Sequence, residues 1–391
     1  MDVQVPNCLL RNPAQFGGTV EGDMRRGQPI THNGHLVGLG PPGGQTSVVL
    51  LPKLVEAHCH LDKCHTQHRL GPVGGDLPHA IATQQADKAN WTEADLHRRA
   101  TQGLAEARRA GCHLIRSHVD WGDTATPPLA WSVLGALAQD HPGLQRAALT
   151  GVLQWADPAF ASTVAKQLAT DKGVLGAFVY DQPGLQDGLW VIFDMANRYG
   201  LPLDFHVDEG LGDMNGLEAI ADTAIATGYG RPILCGHAVS LMDRGAMDLD
   251  RITDKLLAAE IHICALPTTN LYLQGRTDGT PDRRGLTRLR ELHAAGVPIL
   301  IGSDNVADAF CPTGAHDPMA ALSLAILAAH LDPPLARWLP SITTHAAAAL
   351  GQPPAYIDAS PLDALSVYHV PDLADVIAGR ALPINATKVL T

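Results

Sequence analysis

The chain has no run of about 18 apolar residues, the length that a bilayer-spanning helix needs, so no membrane partner is expected. Its first ten residues, MDVQVPNCLL, lack the charged and apolar regions of a signal peptide, and a cytoplasmic location is expected. Basic charge is scarce: 28 Lys and Arg stand against 40 Asp and Glu, a net charge of −12, with no basic cluster to neutralise phosphates. Nucleic acid is therefore excluded as a partner. The pairs Arg98-Arg99, Arg108-Arg109 and Arg283-Arg284 read as solvated faces. Seven scattered cysteines without a C-x-x-C pair exclude a disulfide framework and suit reduced thiols. Cys59 and Cys64 read as ordinary small side chains.

What is present is length, 391 residues at 46% hydrophobic, and one repeated phrase. From 52 to 304 a helical pattern is followed by a short apolar run, the signature of parallel βα units. Eight strands are predicted, at 53–58, 113–118, 147–154, 174–180, 203–207, 233–238, 261–266 and 298–304. The helices between them carry punctuation, such as Thr92 and Asp95 in a capping-box arrangement, and stops at Gly111 and Gly296. The fold class is α/β, a (β/α)8 TIM barrel over 51–359, with chemistry expected at the carboxyl ends of the strands. Residues 1–50 and 360–391, with strand-like runs at HLVGL, SVVLL, ALSVYHV and ATKVLT, are expected to form a small β domain. The Gly- and Gln-rich connection 67–90 reads as a loop that could cover the site.

The polar residues fall where a barrel enzyme needs them. His58, His118, Gln154, His206, His237 and Asp304 sit at or near predicted strand ends. In VEAHCHLDKCHT, His58 and His60 alternate onto one face and Cys59 points away. One H-x-H is weak alone in a chain with 19 histidines. With His206 and Asp304 it makes a nitrogen and oxygen set for one divalent ion, Zn2+ or Fe2+. Glu209, Asp208 and His237 suit proton transfer during hydrolysis. His118 is expected to support a ligand or pack, and Asp62 to be structural.

The segments VEAHCHLDK, HVDEG, GHAVSL, LPTTNLYLQGR and RRGLTRLRELHAAGVPILIGSDNVADAFCPTG resemble those of bacterial cytosine deaminase and its relatives in the amidohydrolase superfamily, in order from 50 to 350. The resemblance implies metal ligands His58, His60, His206 and Asp304, and catalytic roles for Glu209, His237 and Asp304. It implies substrate contacts at Gln154, Asn305, Phe310 and Lys63. VLGAFVY holds no lysine of the kind that the superfamily's binuclear members carboxylate, so one ion is expected. Asn305 and Phe310 stand where cytosine deaminase has aspartate and tryptophan, so reaction type is better supported than substrate. Tyr272 reads as core, and Gln274 and Arg276 as residues that could close over the substrate.

The expected activity is hydrolytic deamination of a small amino-substituted N-heterocycle of the cytosine type, cytosine, 5-methylcytosine or isoguanine-like, by a homo-oligomer. Two alternatives stay open. One is hydrolysis of an N-alkylamino-triazine or cyclic amide on the same site, suggested by Lys63, a feature of the N-alkylammelide hydrolases; Glu209, which that branch lacks, favours the deaminase. The other is an inactive barrel serving as a binding protein.

Overall fold

In a computed structural model, which describes residues 1–44 and 46–390, the eight predicted strands form one parallel sheet. They are Leu54–Cys59, Cys112–Asp120, Leu144–Gly151, Val174–Val179, Leu203–Val207, Ile233–His237, Ile261–Ala265 and Ile299–Ile301, each paired with the next in chain order. Cys59 bridges Asp304 in parallel, and the Asp304 N–H donates to the His58 carbonyl at 2.9 Å, so the first and eighth strands close the barrel. The expected TIM barrel is present.

Local chemistry accounts for these elements. Strands such as ILCGH and IHICA are buried along their whole length, as parallel strands covered on both faces must be. The helix Glu93–Arg109 buries Leu96, Ala100 and Leu104, one stripe at a spacing of four. Thr92 caps it by accepting from the Asp95 N–H, but only half of the predicted capping box forms. The Asp95 carboxylate pairs with Arg69, Arg98 and Arg99 instead of turning back. Arg99 is fully buried, so its reading as a solvated face is corrected: inside the fold Asp95 takes its Nε and two carbonyls take its Nη1.

The two ends of the chain meet in a separate six-stranded sheet, in which Ser47–Pro52 pairs with Asp2–Pro6 on one side and Leu365–Tyr368 on the other. HLVGL forms a strand in a separate hairpin, Pro29–His32 with His35–Leu39. ATKVLT is not a strand: Thr387–Leu390 is a helical turn, and Thr391 lies outside the described residues. Nor is 67–90 a plain loop. It contains the helix Leu77–Asp87, capped by Asp76, whose Ala80 packs with Leu273, Ala309 and Phe310. Among the described residues no helix is long and apolar enough to cross a membrane.

One glycine is tied directly to the polar centre. A Cβ on Gly236, in the sixth strand, would lie 2.7 Å from Cε1 and 2.9 Å from Nδ1 of His58. Gly236→Ala is therefore expected to displace that ring and to cost about 1–3 kcal/mol as overpacking. Thermal unfolding checks this, and an unchanged melting temperature would contradict the packing described here.

Candidate metal and proton-transfer site

His58 and His60 come from the end of the first strand, where the pairing register shifts between Glu56 and Cys59, and strand alternation places Asp204 with His206 on one face of the fifth. Their convergence inside the barrel mouth brings the predicted residues together. His60 Nε2 lies 3.1 Å from His206 Nε2 and 3.3 Å from Asp304 Oδ1, and His58 Nε2 lies 3.5 Å from the same oxygen. His58 and Asp304 are fully buried.

Electrostatics favour neutral rings around an anion. Burial, reinforced by neighbouring imidazoles, holds His206 well below the ordinary histidine value. Burial, with the charge of Lys63 beside it, does the same to His60. Burial alone would raise Asp304, but the imidazoles of His58 and His60, 3.5 and 3.3 Å from Oδ1, hold its carboxyl well below the usual range. The Nε2 atoms of His60 and His206 are in contact, and His58 Nε2, buried and without a hydrogen-bond partner, lies near the same Asp304 oxygen, so these nitrogens share one centre. That donor set fits a divalent cation with nitrogen and oxygen ligands.

His118 stands closer to this centre than expected. Its ring centroid is 4.0 Å from that of His58, and it has a nitrogen within 4.8 Å of donor atoms on His58, His60 and His206. Its Nε2 lies 3.0 Å from Asp204 Oδ1, and Asp204 also receives Arg116 at 3.0 Å. Burial holds His118 down to about 4.

Glu209 and His237 form the second part of the site, with Oε2 and Nε2 3.5 Å apart. Burial, and secondarily Asp304, raises the Glu209 carboxyl well above its ordinary value. Burial holds His237 down to about 3. The Asn270 amide lies 3.0 Å from His237 Nδ1 and turns Nε2 toward Glu209. Gln274 fixes the other side by donating to the Glu209 carbonyl at 3.0 Å.

Asp208, by contrast, faces away. Its carboxylate accepts from the N–H groups of Gly216 and Leu217 and from Ser240 Oγ, holding the start of the helix Gly216–Thr227. It thereby orients Glu209 next to it. Asp208, His237 and Asp304 all have positive φ, at 47°, 72° and 59°, a conformation that costs non-glycine residues energy and clusters at functional sites.

The expected substrate contacts divide. Lys63 is buried, bonds Asp120 on the neighbouring strand at 3.0 Å, and has its ammonium 4.9 Å from the Phe310 ring centre. Asn305 donates to Asp308 at 2.7 Å, and the same Asp308 accepts from the Phe310 and Cys311 N–H groups, so the segment after the eighth strand is pinned. Gln154 is not at a strand end. The third strand stops at Gly151, and Gln154 lies in the helical turn Val152–Trp155. Its Oε1 folds back over Gly151, 2.4 Å from where a Cβ there would sit. Tyr272 is half-buried rather than core, with Arg276 stacked 4.5 Å over its ring.

Sequence reading missed Asn270, Asp204 and Glu56. The last two carried a signal, since each lies two residues before a histidine in a strand. Glu56 accepts from the N–H groups of His58 and Ser303, and burial pushes its carboxyl up to about 8.

Comparison with known proteins places the chain. A model described as the amidohydrolase family matches residues 180–355. The pterin deaminase of Rhizobium rhizogenes strain K84 is 33% identical over 310 residues, covering 77% of this chain and 70% of the relative. The chain belongs to the amidohydrolase family. It is a hydrolase acting on C–N bonds. The amidohydrolase barrel also matches 5-methylcytosine deaminase from Klebsiella pneumoniae, with a TM-score of 0.75 at 22% identity, over 100% of this chain and 97% of that one. N-isopropylammelide isopropylaminohydrolase from Burkholderia multivorans matches with a TM-score of 0.69 at 23% identity, over 99% and 97%.

His206→Ala is expected to lose the divalent cation from this cluster. Metal analysis of the purified variant against the parent checks it, and retention of the full complement would remove His206 from the ligand set.

Proposed function

We propose that this amidohydrolase is a metal-dependent aminohydrolase, replacing an exocyclic amino group of a small N-heterocycle with oxygen and releasing ammonia. The observation that supports this reading is the Glu209–His237 pair, at 3.5 Å, beside the His–Asp cluster. It joins a carboxyl whose proton affinity burial raises to an imidazole whose proton affinity burial lowers.

In this reading His58, His60, His206 and Asp304 hold one Zn2+ or Fe2+. A divalent cation supplies polarisation that makes water nucleophilic near neutral pH. His237 orients the attacking water and Asp304 accepts its proton. Glu209 gives its proton to the ring nitrogen next to the attacked carbon and regains one from the added hydroxyl as that oxygen becomes a carbonyl, while the proton held by Asp304 passes to the departing amine. The net change is one water consumed, one C–N bond broken and one ammonia released.

For substrate, the relative at 33% identity supports a pterin-type ring, an aminopyrimidine fused to a second ring, as the first compound to test. Cytosine-type rings come second. Lys63, Asn305 and Phe310 are proposed to line the substrate side, and Gln154 to reach it only by unfolding from Gly151.

The test is ammonia release by the protein loaded separately with Zn2+ and Fe2+, offered pterin, cytosine, isoguanine and an N-alkylammelide. Ammonia from a pterin or a pyrimidine supports the proposal. Alkylamine from the triazine alone, or silence with the cation bound, overturns it. Glu209→Gln should keep the cation and lose about 100-fold or more in kcat, the scale of general acid–base catalysis; full activity would refute the proton-transfer role.

A further inference from the structure

Beyond the barrel mouth, a second group of ligating side chains gathers where three segments meet: the loop after His60, the helix Glu93–Arg109 and the segment after Asp304. Cys64, His65 and His316 each place a donor atom within 4.8 Å of the other two. Glu106 adjoins two of them, with Oε1 3.3 Å from His65 Nε2 and Oε2 accepting from the His316 N–H at 3.4 Å.

Internal hydrogen bonding does not account for this group. His316 is fully buried; Ser303 Oγ occupies its Nδ1 at 3.3 Å, while its Nε2 has no partner. The Cys64 thiol has only weak contacts with the carbonyls of Leu61 and Arg99, at 3.5 and 3.6 Å. Gly103 lets the helix approach, since a Cβ there would lie 2.9 Å from His316 Nε2. The side chains of His65 and Glu106 are 11% and 16% exposed, which leaves a route inward from solvent.

We propose that Cys64, His65, His316 and Glu106 form a second metal site, which takes a structural Zn2+. One thiolate, two imidazoles and one carboxylate are a zinc donor set, and the two negative charges neutralise the dication. Bonds of about 2.0–2.3 Å would draw the donors inward by about 1 Å. Binding releases the Cys64 proton to solvent, because the ligand is the thiolate. The ion would tie the loop that follows His60 to the one that follows Asp304.

The thiolate separates this site from the first, whose donors are nitrogen and oxygen only. The full-length protein is stripped and reloaded with Co2+, then assayed for cations per chain and for near-ultraviolet thiolate-to-cobalt charge-transfer absorption. Two cations per chain and a charge-transfer band are expected. Cys64→Ser and His316→Gln should each lose the band and one equivalent, whereas His206→Ala should keep the band. One cation per chain and no band in the parent protein would overturn the proposal, as would a band that survives in Cys64→Ser. The parent measurement decides the matter even where a variant fails to fold, and none of these readouts requires turnover.

Discussion

The bond that closes the barrel also assembles its polar centre. Asp304 donates its N–H to the His58 carbonyl at 2.9 Å, and the same two residues aim a carboxylate and an imidazole into the ring of strands. Unsatisfied buried polar groups cost roughly 1–3 kcal/mol each. A fold that buries several unpartnered imidazole nitrogens and both Asp304 oxygens must therefore draw stability elsewhere. The apolar strands supply part of it, and a dication among these donors would supply more. Stability and chemistry thus share one set of atoms at the seam.

Accuracy at this seam comes from residues that touch neither proton nor substrate in the proposed chemistry. Glu56 holds the backbone of His58 and Ser303, Asn270 turns His237, Asp208 anchors the helix beyond Glu209, and Asp308 pins the segment carrying Asn305 and Phe310. Positive φ at Asp208, His237 and Asp304 can be maintained because each has several such constraints around it.

The barrel and the clustered ligands were legible because both obey short-range rules. Apolar runs of strand length recur between helical patterns, and a polar residue ending such a run has little to do in a core. Features set by partners distant in sequence were harder to read. Gln154 looked like a strand end because nothing in AALTGVLQ announces that the chain turns at Gly151. Arg99 looked solvated because its acceptors are the carbonyls of Asp62 and Cys64, more than thirty residues away. Asp208 and Glu209, adjacent carboxylates, were told apart only by the family resemblance and not by local pattern, since the helix start that claims Asp208 belongs to the tertiary fold.

The terminal sheet bears on how the molecule is made. Strand Ser47–Pro52 lies between Asp2–Pro6 and Leu365–Tyr368, so one of its edges waits for a partner encoded after the whole barrel. During synthesis the first strand of the barrel begins two residues beyond that half-finished sheet, and its other neighbour, the eighth strand, also arrives late. Both closures join segments far apart along the chain, the kind of contact that slows folding. An emerging polypeptide would therefore carry two open sheet edges until its last quarter left the ribosome, exposing it to mispairing and to chaperones for most of its production.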